Sequence, residues 1–232
     1  MDYQEFVQMM QELNTASITV RLLLAVLFGG VVGLERGSNK HQAGLRTHIL
    51  VCVGATVSML TSQYIFETMS TVADPARLGA QVISGIGFLG AGLILVTARN
   101  KVKGLTTAAG LWASACIGLA LGIGFYQGAL IAAVLVFIVL ALLPKVEDYF
   151  YNRSKVVDLF VELESLEDLK AFLSHARSVS HKVLETQVSR SNAITPEGYG
   201  LIISLRLSKG RDHAWLVEEL SRQPGVFQVE EY

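Results

Sequence analysis

The sequence predicts a two-part protein: a multi-pass α-helical membrane domain of five transmembrane helices, then a small soluble α+β domain. Three observations carry this reading. Residues 47–66, 78–98 and 104–144 hold no charged side chain, and a bilayer core is crossed by roughly 20 apolar residues in a helix. Charge is unevenly divided, with 14 charged residues in positions 1–144 and 25 in positions 145–232. Glycine runs the other way, 17 of its 21 copies lying in the first part. A chain so divided is neither one soluble domain nor a disordered polymer. A net charge of −1 offers no concentrated basic face for nucleic acid.

The domains follow in order: an N-terminal segment 1–17, a membrane domain 18–144, a basic linker 145–155 and a soluble domain 156–232. Within the membrane domain the expected helices are 18–34, 47–66, 78–98, 105–123 and 128–143. Arg21 falls near the start of the first, where a long side chain can snorkel outward. The uncharged stretch 104–144 would reach about 60 Å as one helix, twice the membrane thickness, so it must fold back. Gly124-Phe125-Tyr126-Gln127-Gly128 supplies turn glycines and interfacial aromatics at its middle. Asp2, Glu5 and Glu12 argue against a basic leader peptide. Cys52 and Cys116 fall in separate spans, without metal-site spacing, and read as small buried hydrophobes.

Lysine and arginine in the loops set the orientation. Arg36, Lys40 and Arg46 flank the first loop, Arg99, Lys101 and Lys103 the third, and Lys145, Arg153 and Lys155 the last flank. The second loop has only Arg77, beside Glu67 and Asp74, and the fourth has no charge. This alternation places the basic loops in the cytoplasm. The N-terminus is then outside and the soluble domain cytoplasmic, with an odd number of spans.

Small residues are patterned too. Thr106, Gly110, Ser114, Gly118 and Gly122 recur every four residues and form one stripe on the fourth helix. Gly29 and Gly33 repeat the spacing in the first, and Gly85, Gly87, Gly90 and Gly92 crowd the third. Without a hydrophobic drive between helices in lipid, such stripes mark close backbone approach. Two readings stand: tight bundle or dimer packing, or a broken helix lining an ion path. The third-helix glycines are one candidate partner for the fourth-helix stripe. Thr56, Ser58, Gln81, Ser84 and Ser114 are the polar groups at depth, and ionisable ones are nearly absent.

The remaining charged cluster is Glu35 and Arg36, with Arg46, Thr47 and His48 at the start of the next helix. Eleven residues separate Glu35 from Arg46, so the two helix ends are neighbours. An ion pair of Glu35 with Arg46 or Arg36 is expected there, as helix-end anchoring or as a functional polar cluster. Glu35 alone does not make a Mg²⁺ site, which takes one or two carboxylates plus waters or phosphate.

Gly33-Leu34-Glu35-Arg36, Ala43-Gly44-Leu45-Arg46-Thr47-His48, Gly87-Phe88-Leu89-Gly90-Ala91-Gly92 and Gly104-Leu105-Thr106-Thr107-Ala108-Ala109-Gly110-Leu111-Trp112 resemble the signatures of the MgtC/SapB family. The motifs stand in the family's order within 18–143. The resemblance implies a bacterial inner-membrane protein with a role in growth under magnesium limitation and, in pathogens, in survival inside macrophages. It further implies partner membrane proteins, among them the ATP synthase, and a part in acid-stress or membrane-potential homeostasis. Glu35, Arg36, Arg46, Thr47, Gly90, Gly92, Thr106, Thr107 and Trp112 match its characteristic positions.

In the tail, Val157, Leu159, Val161 and Leu163 alternate with polar or aromatic partners as in a half-buried strand. Ser165 and Asp168 make a helix-capping pair before Leu166, Leu169, Phe172 and Leu173. Strands over 182–191 and 201–207, a turn at 195–198, a helix over 212–222 and a strand over 226–230 complete βαββαβ. That is the ferredoxin-like split βαβ order. The ending Pro224-Gly225-Val226-Phe227-Gln228-Val229 resembles ACT domains. Their ligand loop after the first strand bears glycine; Glu164-Ser165-Leu166 does not, which favours a protein-interaction or dimerisation module over an amino-acid sensor. His175, His181 and His213 lack metal-ligand spacing.

No nucleophile-and-base pattern, phosphate loop or paired carboxylate is present, so neither catalytic residues nor a cofactor is assigned. The sequence therefore points to a regulatory membrane protein, embedded in lipid and assembled as a homodimer. A Mg²⁺ or proton permease through the glycine-rich bundle is the alternative.

Overall fold

A computed structural model describes residues 9–39, 41–68, 74–97, 102–151, 155–190, 199–207 and 212–231. The chain divides into two compact units, Met1–Val146 and Glu147–Tyr232.

The first unit is helical. Helix α1 (Thr15–Ser38) opens on a capping box, in which the Asn14 side chain accepts the Ser17 amide and the Ser17 hydroxyl accepts the Asn14 amide. Helix α2 (Leu45–Thr68) packs against both α1 and α4 (Leu105–Gly122) and forms the centre of the unit. Helix α3 (Arg77–Leu93) lies on α4 and α2. Between α3 and α4, strands β1 (Leu95–Val96) and β2 (Val102–Lys103) pair antiparallel. Helix α5 (Tyr126–Tyr151) follows a turn in which Gly124 has φ +81°. Cys52 and Cys116 are free thiols on α2 and α4.

Helices α1, α2, α4 and α5 (to Glu147) are long and apolar enough to cross a membrane. The third expected span, 78–98, is cut short. Its helix ends at Leu93, Ile94 is extended, and Leu95–Val96 enters the hairpin. A run of branched apolar residues favours a strand as readily as it continues a helix, and hydropathy does not separate the two. The 17 residues of α3 give a helix about 25 Å long. The fifth helix is longer than 128–143, beginning at Tyr126 and running through Pro144 to Tyr151. Proline there removes one bond, to the Leu140 carbonyl, and the helix continues beyond it. The first part of the expected linker 145–155 is thus helical.

The second unit reads as the alternation predicts. Strands β3 (Val156–Leu163), β4 (Lys182–Arg190), β5 (Tyr199–Arg206) and β6 (Val226–Glu231) alternate with helices α6 (Leu166–Val179) and α7 (His213–Ser221) in the order βαββαβ. The sheet runs β4-β5-β3-β6 with every neighbouring pair antiparallel. Val157, Leu159, Val161 and Leu163 of β3 and Leu201, Ile203 and Leu205 of β5 are buried, closed over by Phe172 and Ala176 of α6 and Leu216 and Leu220 of α7. Ser165 caps α6 by accepting the Asp168 amide. The turn expected at 195–198 lies outside the described residues. His175 faces Glu219 at 3.3 Å and His213 faces Glu231 at 2.5 Å.

Candidate functional site

Helix α1 carries a buried arginine near each end, and the two are held very differently. Arg21 is completely buried rather than snorkelled outward. Its guanidinium donates to the carbonyls of Gly122 (2.8 Å), Gln11 (2.8 Å) and Met10 (3.1 Å), to Gln63 Oε1 (2.9 Å) and to the Tyr126 hydroxyl (3.2 Å). Carbonyls at helix ends have no partner within their own helix and carry partial negative charge. Where the end of α4 and the segment before α1 converge, one cation satisfies both, and this draws Arg21 inward. Tyr126 in turn donates to Met10 O at 2.7 Å, and its ring lies 6.0 Å from the guanidinium carbon. Sequence reasoning missed this knot. The available signal was a lone cation within an apolar span, which marks a site by default.

At the other end, Arg36 is also buried, 3% exposed, but donates a single hydrogen bond, from Nη2 to Thr107 Oγ1 of α4 at 3.1 Å. Its Nε is buried without a hydrogen-bond partner among the described residues. The expected ion pair of Glu35 with Arg36 or Arg46 is not formed. Glu35 Oε1 accepts from Asn39 Nδ2 at 2.7 Å, one turn along the same helix, and Oε2 has no hydrogen-bond partner among the described residues. Arg46 and Thr47 are exposed. His48 is fully buried; its Nδ1 meets Ser114 Oγ of α4 at 2.9 Å, and Nε2 has no hydrogen-bond partner among the described residues. Hence Arg36, His48, Thr107 and Ser114 come together, while Glu35 stands at their edge and Arg46 and Thr47 stand apart. His41, in the loop after α1, is held below the ordinary histidine pKa by burial and then by the charge of Arg36, with Glu35 opposing.

The glycines sort by neighbour. A Cβ on Gly29 would lie 2.8 Å from the His48 carbonyl, and one on Gly33 2.7 Å from Leu45 Cα. A Cβ on Gly118 would overlap the Cys52 carbonyl, and one on Gly122 would lie 2.5 Å from Met59 Cβ. The stripe on α4 therefore meets α2, and not the glycine run of α3. Thr56 Oγ1 bridges the same seam, within 2.9 Å of the carbonyls of both Cys52 and Gly118. Gly110 faces His48 and Leu140, and Gly90 faces Ala108. Gly85, Gly87 and Gly92 have open space where a side chain would be. Thr106 and Trp112 are exposed.

The geometry defines a helical membrane protein whose centre is three backbones in close contact, α1, α2 and α4, with a buried arginine at either end. The chain belongs to the MgtC family, whose model matches residues 22–149. It is 39% identical over 144 residues to YhiD of Escherichia coli K12, named as a candidate magnesium transporter, covering 60% of this chain and 66% of that protein. It is 41% identical over 140 residues to an uncharacterized Haemophilus influenzae protein, 58% and 59% of the two chains. To MgtC of Salmonella typhimurium LT2 it is 46% identical over 118 residues, 50% and 48%. The chain thus spans about half to two thirds of these relatives' lengths. No solved structure matches it.

Proposed function

We propose that the protein is a regulatory inner-membrane protein of the MgtC type, acting on partner membrane proteins in magnesium-limitation, acid-stress or intracellular-survival physiology. The observation that supports regulation over conduction is the filling of the bundle. Where α1, α2 and α4 meet, glycines let backbones touch, and the buried charged side chains described in this unit are Arg21 and Arg36, both cations. Mg²⁺ is usually held by one or two carboxylates together with waters or phosphate, and neither arginine supplies an oxygen ligand. The alternative, a Mg²⁺ or proton permease, is the one the name of the Escherichia coli relative suggests. Reconstitution into liposomes tests it: the regulatory reading expects no Mg²⁺ or proton flux above empty vesicles, and flux carried by the purified protein alone would overturn it.

In this reading α3 crosses as a fifth, short span, which the alternation of basic loops supports, and the second unit is an ACT-like cytoplasmic domain. Tyr3→Cys should then react with an impermeant thiol reagent in intact spheroplasts, and Glu197→Cys should not. The opposite labelling would reverse the topology. The outward glycines of α3 support a homodimer, and the ATP synthase is the partner that the family resemblance implies.

A further inference from the structure

The first turn of α4 and the under-bonded arginine beside it form a site that the regulatory reading does not use. Helix α4 has 18 residues and begins after Gly104, at φ +94°, which offers no capping side chain. A side chain at 104 would overlap the Leu93 carbonyl, so glycine is dictated both by the left-handed backbone and by the close approach. Among the described residues, the amides of Leu105, Thr106 and Thr107 accordingly open α4 without an acceptor. Such amides, with the positive end of the helix dipole behind them, form an anion site.

The independent observation is Arg36. Its side chain crosses from α1 and bonds Thr107, the third residue of α4, at 3.1 Å. It is 3% exposed, yet its Nε proton meets no acceptor among the described residues. A buried unused donor on a permanent cation is costly unless something accepts from it. Arginine presents two donors in a fixed fork that fits the oxygens of a phosphate. Lys103 precedes the same turn and is exposed.

We propose that Arg36, the Thr107 hydroxyl and the opening amides of α4 bind a phosphate group, either free phosphate or the headgroup of an anionic phospholipid. Glu35 is the neighbouring opposing charge. Its Oε1 accepts from Asn39 and it makes no hydrogen bond to the guanidinium among the described residues, so it limits affinity rather than occupying the site. This gives the test its sign. Neutralising Glu35 strengthens an anion site and weakens a cation site.

Full-length protein is melted in a non-ionic detergent with sodium phosphate titrated against sodium chloride at matched ionic strength. The same measurement is made in nanodiscs of phosphatidylcholine with and without phosphatidylglycerol. A rise in melting temperature with phosphate assigns the site to free phosphate. A rise only with phosphatidylglycerol assigns it to lipid. In either case Arg36→Gln should remove the rise, Thr107→Val should reduce it, and Glu35→Gln should lower the half-saturating phosphate, or the half-saturating fraction of phosphatidylglycerol, about fivefold, the size of one unit-charge repulsion in a wet site. Because Glu35→Gln and Thr107→Val change no charge on Arg36, they keep the test open should Arg36→Gln fail to fold. No rise in either medium, an equal rise in Arg36→Gln, or weaker phosphate binding in Glu35→Gln would overturn the proposal.

Discussion

Arg21 and Arg36 stand on one helix, both buried, and the structure treats them as opposites. Arg21 makes five hydrogen bonds; Arg36 makes one and keeps Nε unpaired. Buried polar groups are normally satisfied, so the saturated arginine reads as part of the fold. The unsaturated one is left with capacity for something the fold does not supply. Residue type and burial are the same in both, and only the count of partners tells them apart.

The glycines repeat the lesson. Gly118 and Gly122 are pressed against α2, whereas Gly85, Gly87 and Gly92 face open space. Substitutions should separate the two sets. Gly118→Leu carries the largest expected effect among these glycines, because the side chain meets the Cys52 backbone. Even Gly118→Ala should cost about 1–3 kcal/mol, the usual range for overpacking, read as loss of folded protein after mild heating in detergent. If it folds as wild type, the seam is not as drawn. Gly85→Ala should be neutral or stabilising by up to about 1 kcal/mol, since a helical glycine gains from a side chain where there is room. Gly85→Leu should leave the fold intact and, on the proposal of a homodimer paired through α3, should give a monomer. A variant that stays dimeric by light scattering would move that face elsewhere.

Within the second unit, Leu159→Ala should cost about 2–5 kcal/mol by leaving a cavity in the core, seen as a fall in melting temperature of the sheet signal. The smallest effect belongs to Arg46. It is exposed and makes no ion pair with Glu35, so Arg46→Ala should shift stability by no more than about 0.5 kcal/mol. Combining it with Glu35→Ala should give additive shifts, as expected of residues that do not interact. Measurable coupling between the two would restore the pair that the sequence led us to expect.

How much of this was legible in the sequence depends on the kind of signal. Helix order in the first unit follows from runs of uncharged residues, four of which become helices long enough to cross a membrane, and the first strand of the second unit follows from strict alternation at Val157–Leu163. The end of α3 at Leu93 does not, because Ile94-Leu95-Val96 keeps hydropathy high while changing the backbone. The α4 stripe is plain at spacing four, yet its partner is not, since any apolar helix bearing small residues fits a glycine groove. The chemistry of Glu35-Arg36 and Arg46 misled through proximity in sequence: Arg36 reaches across to Thr107, 71 residues away. Arg21 escaped because its acceptors are main-chain carbonyls, which no side-chain pattern records.

The division of labour along α1 is tested most directly by melting Arg21→Gln and Arg36→Gln side by side in detergent without phosphate or anionic lipid. Removing Arg21 strands the carbonyls of Met10, Gln11 and Gly122 and should cost about 3–5 kcal/mol, or prevent folding altogether. Removing Arg36 gives up one hydrogen bond and relieves an unpaired buried donor, so it should change stability by no more than about 1 kcal/mol in either direction. Equal losses in the two variants would contradict the account.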